Sequence, residues 1–312
     1  MAHEGSSKAI VAALAANIGI AVTKFVAFLL TSSSSMLAES VHSLADSGNQ
    51  ALLLTGGRRA RRTPDSDHPF GYGSERYLYA FIVAIVLFSV GGLFALFEAF
   101  EKWQDPRPID SWQWVPVAVL FAAMSMEGLS LRTAVVESNR TRGGQSWVAF
   151  IRDAKAPELP VVLLEDSGAL VGLVLALGGV GMTLATGDGR WDAAGTASIG
   201  VLLVAIAIIL GTETRSLLLG ESAAAPDVAA IRAALVGHGV TSVIHLRTMH
   251  LGPDELLVAA KIEIDAGDTA RGIAMAIDAA ERRVRAAVPV ATVIYLEPDL
   301  RRSLAGTEPT TS

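Results

Sequence analysis

The sequence predicts a membrane protein with an all-α bundle of six transmembrane helices, followed by a small cytoplasmic α+β domain of ferredoxin-like order αββαβ. Two patterns predict this fold: six apolar runs of membrane-spanning length, and a change after Pro226 to the periodicities of soluble helices and strands. The 312 residues include no cysteine, which excludes disulfides and thiolate metal sites. The net charge of −6 argues against a nucleic-acid partner.

Each apolar run is long enough to supply the roughly 20 residues that cross the hydrocarbon core of a bilayer. The predicted spans are 8–30, 37–57, 77–101, 112–132, 159–186 and 194–216. Basic residues concentrate in the connections after the second and fourth spans, at 58–62 and 140–155. Because such residues stay on the cytoplasmic side, both termini are predicted to be cytoplasmic. The first span is interpreted as a retained helix and not as a removed signal.

Two of these spans, the second and the fifth, carry ionisable residues near mid-membrane. His42 and Asp46 are four residues apart in the second span and therefore share one helix face. Asp46 falls near the middle of a roughly 30 Å core, where a carboxylate costs about 2.5–3.5 kcal/mol. The fifth span carries Glu165 and Asp166 at a similar depth. A cation held between the two helices would offset this cost; the alternative is that the buried polar groups pair only with one another.

Two further charged residues in the spans leave alternatives open. Lys24 lies towards the outer end of the first span, as Glu39 does in the second, so an ion pair or snorkelling of the lysine accounts for it. Glu127 in the fourth span either takes part in proton passage or serves helix packing at the interface.

The soluble end contains helical spacing at 227–237 and an alternating strand at 255–265. Its hairpin partner is a strand with Ile244 and Leu246 on one face, and the turn between the two strands is at 252–254. A helix that ends before Pro289 and a last strand at 291–297 follow. The predicted domains are therefore a transmembrane domain at 1–217, a linker at 218–226, an αββαβ domain at 227–300 and a disordered tail at 301–312. Two histidines of this domain, His245 and His250, are an odd number of residues apart. On one regular strand they would face opposite ways and could not share an ion.

The chain as a whole resembles the cation diffusion facilitator family. The most specific segments are MLAESVHSLAD at 36–46 and HPFGYGSERY at 68–77. The second segment, together with LLLGE at 217–221, is most similar to the branch that includes the mitochondrial zinc exporters of animals. The resemblance implies a homodimer that exports divalent cations, commonly Zn²⁺, in exchange for protons by alternating access. The metal is then cargo and not a cofactor, and the protein is not an enzyme.

The resemblance also implies a set of metal ligands, with two residues on the second helix and two on the fifth, each pair four apart. In this sequence those positions are His42, Asp46, Asp166 and Val162, and valine cannot ligate a metal. Glu165 lies about 100° around the helix from Asp166 and is expected to supply the fourth oxygen by a different approach, unless water does so.

Two accessory metal sites of the family are weaker in this sequence. The loop site would use Asp65 and His68, but Tyr72 stands where a second histidine is needed. Asp65 and His68 are therefore expected mainly to order the loop or to meet an incoming ion briefly. The cytoplasmic metal pair falls on residues that do not ligate, such as Ile244 and Ala260, so regulation by metal at that domain is not expected.

The residue types leave several functions open. One imidazole with two or three carboxylates suits Zn²⁺, but also Mn²⁺, Co²⁺ or Fe²⁺. A passive cation channel and a metal-sensing membrane scaffold are alternatives from other classes. An intramembrane metallohydrolase is disfavoured, because no HExxH sequence occurs in the chain. The abundance of Ala, Val, Arg and Gly favours a bacterial source and hence the inner (plasma) membrane.

Overall fold

The computed structural model describes residues 2–109, 112–264, 267 and 269–299, with side chains from Asn17 onward. The predicted tail at 301–312 lies outside these residues. The chain divides into two compact units. The first contains the residues up to Arg62 together with Glu75–Ser216, and the second contains Thr63–Ser74 together with the chain from Leu217.

The helical elements up to Leu219 follow one another along the chain. They are α1 (Ala2–Thr31), α2 (Ser34–Arg59), α3 (Glu75–Val86), a π-helical segment (Leu87–Leu93), α4 (Phe94–Gln104), α5 (Trp114–Arg142), α6 (Trp147–Asp153), α7 (Glu158–Thr186) and α8 (Arg190–Leu219). The segment α3–π–α4 is continuous. Its glycines, Gly91 and Gly92, lie against Leu203 and Val204 of α8, where larger residues would not fit.

Four helical stretches are long and apolar enough to cross a membrane. They are Glu75–Gln104, Trp114–Arg142, Glu158–Thr186 and Arg190–Leu219. In the described part of α1 the apolar stretch is shorter, Asn17–Thr31. The helix α2 does not meet the same measure, because it carries Glu39, His42, Asp46 and several serines. The six-span arrangement is thus not established by apolarity alone and stays a prediction.

Small residues allow α7 to pack closely against its neighbours. A β-carbon at Gly168 would overlap the Ile206 side chain of α8, and one at Gly172 would lie 3.0 Å from Glu39 Oε1 of α2. Small residues such as these two glycines let membrane helices approach each other closely. The packing places the acidic residues of α7 next to α2.

The N-terminal end of α2 is fixed by Asp192 at the beginning of α8. This carboxylate is fully buried and accepts hydrogen bonds from the backbone N–H groups of Ser34 (2.7 Å) and Ser35 (3.3 Å). It also accepts from the hydroxyls of Ser33 (3.0 Å) and Ser34 (3.2 Å). Asp192 therefore caps α2 from another helix, since the first N–H groups of a helix have no partner within it.

Asp192→Ala should destabilise the helical unit by about 2–4 kcal/mol, because it leaves buried N–H and hydroxyl groups of α2 without an acceptor. The measurement is unfolding of the purified protein by detergent titration. Asp188→Ala is the matched control, since Asp188 is exposed and only accepts a hydrogen bond from the nearby Arg190 N–H. Equal stability of the two variants would contradict the capping role.

The C-terminal unit has the predicted order αββαβ. It contains α9 (Ala225–Leu235), β1 (Val240–Gly252), β2 (Glu255–Ile264), α10 (Ala270–Ala287) and β3 (Val293–Asp299). The strand order is β1-β2-β3, with β1 and β2 antiparallel and β2 and β3 parallel. Alternate residues of β2 are buried against the helices, as the alternation from Leu256 to Ile264 predicts.

The loop 63–74 packs within this C-terminal unit, although in sequence it separates two helices of the first unit. Gly73 lies against the turn between β1 and β2, where an added β-carbon would come 3.0 Å from the Cα of Gly252. The glycine of this motif is therefore required by a close contact between two backbones.

Candidate metal site

His42 and Asp46 lie on consecutive turns of α2 and approach each other. The distance from His42 Nδ1 to Asp46 Oδ1 is 3.5 Å. His42 is 1% exposed, and neither of its ring nitrogens has a hydrogen-bond partner among the described residues. Asp46 Oδ1 is likewise buried without a hydrogen bond. Buried polar atoms of this kind are costly and are uncommon in native structures.

Asp46 and Asp166 line the same small cavity. Its volume is about 70 Å³, and it lies between α1, α2, α5 and α7. The lining residues are Asn17, Ile20, Ser43, Asp46, Gln50, Met126, Glu127, Ser130 and Asp166. The Ser130 hydroxyl donates a hydrogen bond to Asp166 Oδ2 at 2.8 Å and orients that carboxylate. Polar groups from four helices thus meet at one place inside the bundle.

Glu165 does not line this cavity but faces α2. Its Oε1 accepts a hydrogen bond from Asn49 Nδ2 at 2.7 Å, and both side chains are buried. Glu165 and Asp166 are adjacent in α7 and therefore point about 100° apart. The structure brings Glu165 next to Asn49 and Asp166 next to Ser130.

The four predicted ligands are not gathered into one cluster. Among the described residues, no three His, Asp or Glu side chains are close enough together to hold a metal ion. His42 is paired with Asp46, Asp46 shares a cavity with Asp166, and Glu165 is held apart by Asn49. A metal ion that uses all four side chains therefore requires side-chain or helix movement.

The charge of Lys24 is balanced by Glu39, as one of the two interpretations of the sequence predicts. Lys24 Nζ lies 3.0 Å from Glu39 Oε2 and donates a second hydrogen bond to Ser43 Oγ at 2.7 Å. Lys24 and Glu39 are 1% and 0% exposed, so the lysine does not snorkel. Because Ser43 lines the cavity of Asp46, this ion pair adjoins the candidate site.

In the loop 63–74, Asp65 organises its surroundings. Its Oδ1 accepts hydrogen bonds from the N–H groups of Asp67 and His68, and its Oδ2 accepts from the Tyr72 hydroxyl at 2.6 Å. The hydrogen bond from Tyr72, with the backbone ones, holds the pKa of Asp65 below its usual value. These contacts are those of a loop-ordering residue; the accessory metal site at Asp65 and His68 stays a prediction.

The two histidines of β1 face opposite ways, as their spacing predicts. His250 is buried, whereas His245 is exposed and accepts a hydrogen bond from Arg247 Nε at 2.8 Å. The register between β1 and β2 is regular from His245 to His250, so no bulge brings the two rings to one face.

Sequence reasoning missed the uncharged members of the site. Asn49 follows Asp46 by three residues and Ser130 follows Glu127 by three, which puts each on the same helix face as an acid already considered. That spacing is the signal that could have found them, but serines are common in the chain, and neither side chain carries a charge that needs a partner.

Comparisons with known proteins assign the helical unit to a family. Residues 10–219 match the model of the cation efflux transmembrane domain. The chain is 30% identical over 269 residues to the mitochondrial proton-coupled zinc antiporter SLC30A9 of Xenopus laevis, covering 85% of this chain and 48% of that protein. It is 29% identical over 263 residues to metal tolerance protein C4 of Arabidopsis thaliana, covering 83% and 57%.

A shorter similarity is 32% identity over 107 residues to the zinc transporter ZitB of Pectobacterium atrosepticum, covering 34% of this chain and 33% of that protein. The chain spans about half the length of the SLC30A9 relatives that it matches. These relatives are transporters and not enzymes, which confirms the expectation from the sequence. The resemblance to the branch with mitochondrial zinc exporters is also confirmed, and the chain is a multi-pass membrane protein that belongs to the cation efflux family.

Proposed function

We propose that the protein exports divalent metal cations in exchange for protons, with Zn²⁺ as its main substrate. One observation carries the proposal: acidic residues from two helices, Asp46 and Asp166, line one intramembrane cavity in a chain of the cation efflux family. The zinc antiporter and zinc transporter names of its relatives support the choice of Zn²⁺.

The proposed ligands are His42, Asp46 and Asp166, with Glu165 as a fourth that joins by movement of its side chain. Two ligand atoms about 2.1 Å from a tetrahedral zinc ion are about 3.4 Å apart. The observed 3.5 Å between His42 Nδ1 and Asp46 Oδ1 is compatible with a shared ion. Because a metal requires an unprotonated imidazole and ionised carboxylates, protons and metal compete for the same atoms.

This competition couples the two fluxes. Metal loaded from the cytoplasm is released outside when protons take its place, and the protonated site then returns. Glu127 lines the same cavity and is the proposed route for these protons. Alternating exposure of the site to the two sides completes the cycle.

The proposed setting is the inner membrane of a bacterium, with six spans, both termini in the cytoplasm, and a homodimer as the working unit. The arginines in the last turn of α2, Arg58 and Arg59, support this orientation. Proton coupling appears in the names of the SLC30A9 relatives.

Other substrates and mechanisms give different results in one experiment. Purified protein in vesicles is assayed for flux of Zn²⁺, Mn²⁺, Co²⁺ and Fe²⁺, with and without a pH gradient. We expect Zn²⁺ flux to be fastest, to depend on the pH gradient and to show counterflow. Faster flux of another ion would identify that ion, and not Zn²⁺, as the main substrate. Flux independent of the gradient and without counterflow would indicate a channel, and binding without flux a metal-sensing scaffold.

A further inference from the structure

One face of α2 carries a row of buried polar atoms that make no hydrogen bond. Glu39, His42, Asp46 and Asn49 follow one another at spacings of three and four residues and therefore lie in line. Within the described residues, Glu39 Oε1, both ring nitrogens of His42, Asp46 Oδ1 and Asn49 Oδ1 all lack a partner. Three of these residues have roles above; Asn49 does not.

The environment of Asn49 points to a cation. Its side chain is 0% exposed, its Nδ2 donates to Glu165 Oε1 at 2.7 Å, and its Oδ1 accepts nothing. A neutral amide oxygen thus lies beside a buried carboxylate, and both are hard oxygen donors of the kind that divalent cations accept. An asparagine that served only to hold Glu165 would need its donor group alone.

The position of the pair relative to Asp46 gives it a place in transport. Asn49 lies three residues closer than Asp46 to the arginine-rich end of α2, which is about 4.5 Å along the helix. An ion from that end would meet Asn49 and Glu165 before it reaches the cavity of Asp46 and Asp166.

We propose that Asn49 Oδ1 and the Glu165 carboxylate form a second, transient site for the divalent cation, on the cytoplasmic side of the central one. This inference rests on the proposed transport function and adds a loading step to it. The neutral amide keeps this site weaker than a pair of carboxylates, so that the ion moves on to Asp46. An ion moves along a series of sites only if each site binds it weakly enough to release it to the next.

Two substitutions separate a cation site from a structural hydrogen bond. Asn49→Asp keeps an oxygen at the same place but removes the donor and adds a negative charge. At a cation site it should tighten Zn²⁺ binding about tenfold, measured as Zn²⁺-dependent thermal stabilisation of the purified full-length protein, and should slow maximal flux. Asn49→Ala should raise the half-saturating Zn²⁺ concentration for flux about tenfold.

The pair is tested by combining Asn49→Ala with Glu165→Ala. If the two side chains form one site, the double variant should have the half-saturating concentration of the weaker single variant, because the second change removes nothing further. Ser47→Ala is the matched control, since Ser47 is buried on α2 but bonds only to the Ser43 carbonyl of its own helix.

The inference is overturned if Asn49→Asp folds but binds Zn²⁺ no more tightly than the wild type. If Asn49→Asp does not fold, two other results overturn the inference. One is that Asn49→Ala and Ser47→Ala have equal half-saturating Zn²⁺ concentrations. The other is that the effects of Asn49→Ala and Glu165→Ala add in the double variant. In those cases the proposed function still stands if the wild type transports Zn²⁺ and the Asp46→Ala variant does not. Absence of divalent-metal flux in the wild type would reject the proposed function itself.

Discussion

Replacing Asp46 with alanine should reduce Zn²⁺ flux in reconstituted vesicles to background, and Asp166→Ala should do the same. Each carboxylate lines the cavity on a different helix, and Asp46 Oδ1 is a buried acceptor without a hydrogen bond. Loss of one partner of a buried charge pair costs about 2–5 kcal/mol, which weakens binding from about thirtyfold to several thousandfold. Flux is measured with a Zn²⁺-sensitive dye inside the vesicles.

Asp46→Asn separates charge from shape, because it keeps the size of the side chain. It should also lose flux if the negative charge is what holds the dication. The control is Thr55→Val on the exposed face of the same helix, where the hydroxyl bonds only to the Ala51 carbonyl. Normal zinc flux in Asp46→Ala would remove the central ligand from the proposed site.

Lys24→Met should destabilise the helical unit by about 3–5 kcal/mol, because it leaves the Glu39 carboxylate buried without its cation. Glu39 Oε1 already has no hydrogen-bond partner, so the remaining charge could not be satisfied locally. Stability is measured by detergent titration of purified protein, and Zn²⁺ flux is recorded in parallel.

The double variant Lys24→Met with Glu39→Gln should recover most of this loss, since it removes both members of the pair. Thr23→Val is the matched control on α1, because Thr23 bonds only to the Gly19 carbonyl of its own helix. A single Lys24→Met variant as stable as the wild type, or a double variant less stable than the single one, would contradict the role of the ion pair.

Local geometry made part of the site predictable. The separation of His42 and Asp46 by four residues places them on one helix face in any α-helix, and the structure has them 3.5 Å apart. The soluble unit was predictable for the same reason, because the alternation in β2 depends only on which residues are apolar. An ion pair for Lys24 was one of two interpretations that the sequence left open, and the structure has the lysine paired with Glu39.

Contacts between helices distant in sequence were not predictable. The hydrogen bond from Asn49 to Glu165 depends on the register of α2 against α7, and Gly172 of α7 is a position where the two helices approach closely, at Glu39. The capping of α2 by Asp192 depends on a residue of α8 that reads in the sequence as an ordinary loop acid. Neither register nor helix neighbourhood is encoded in local periodicity.

The fixed N-terminal end of α2 has a mechanical consequence. Asp192 anchors the helix at Ser34 and Ser35, whereas Asp46 lies about three turns away, at roughly 16 Å along the axis. With that end as a pivot, a tilt of about 10° displaces Asp46 by about 3 Å, which is longer than a zinc–oxygen bond of about 2 Å. A tilt of α2 that leaves the hydrogen bonds at its N-terminus in place would therefore be large enough to break the coordination of an ion at Asp46.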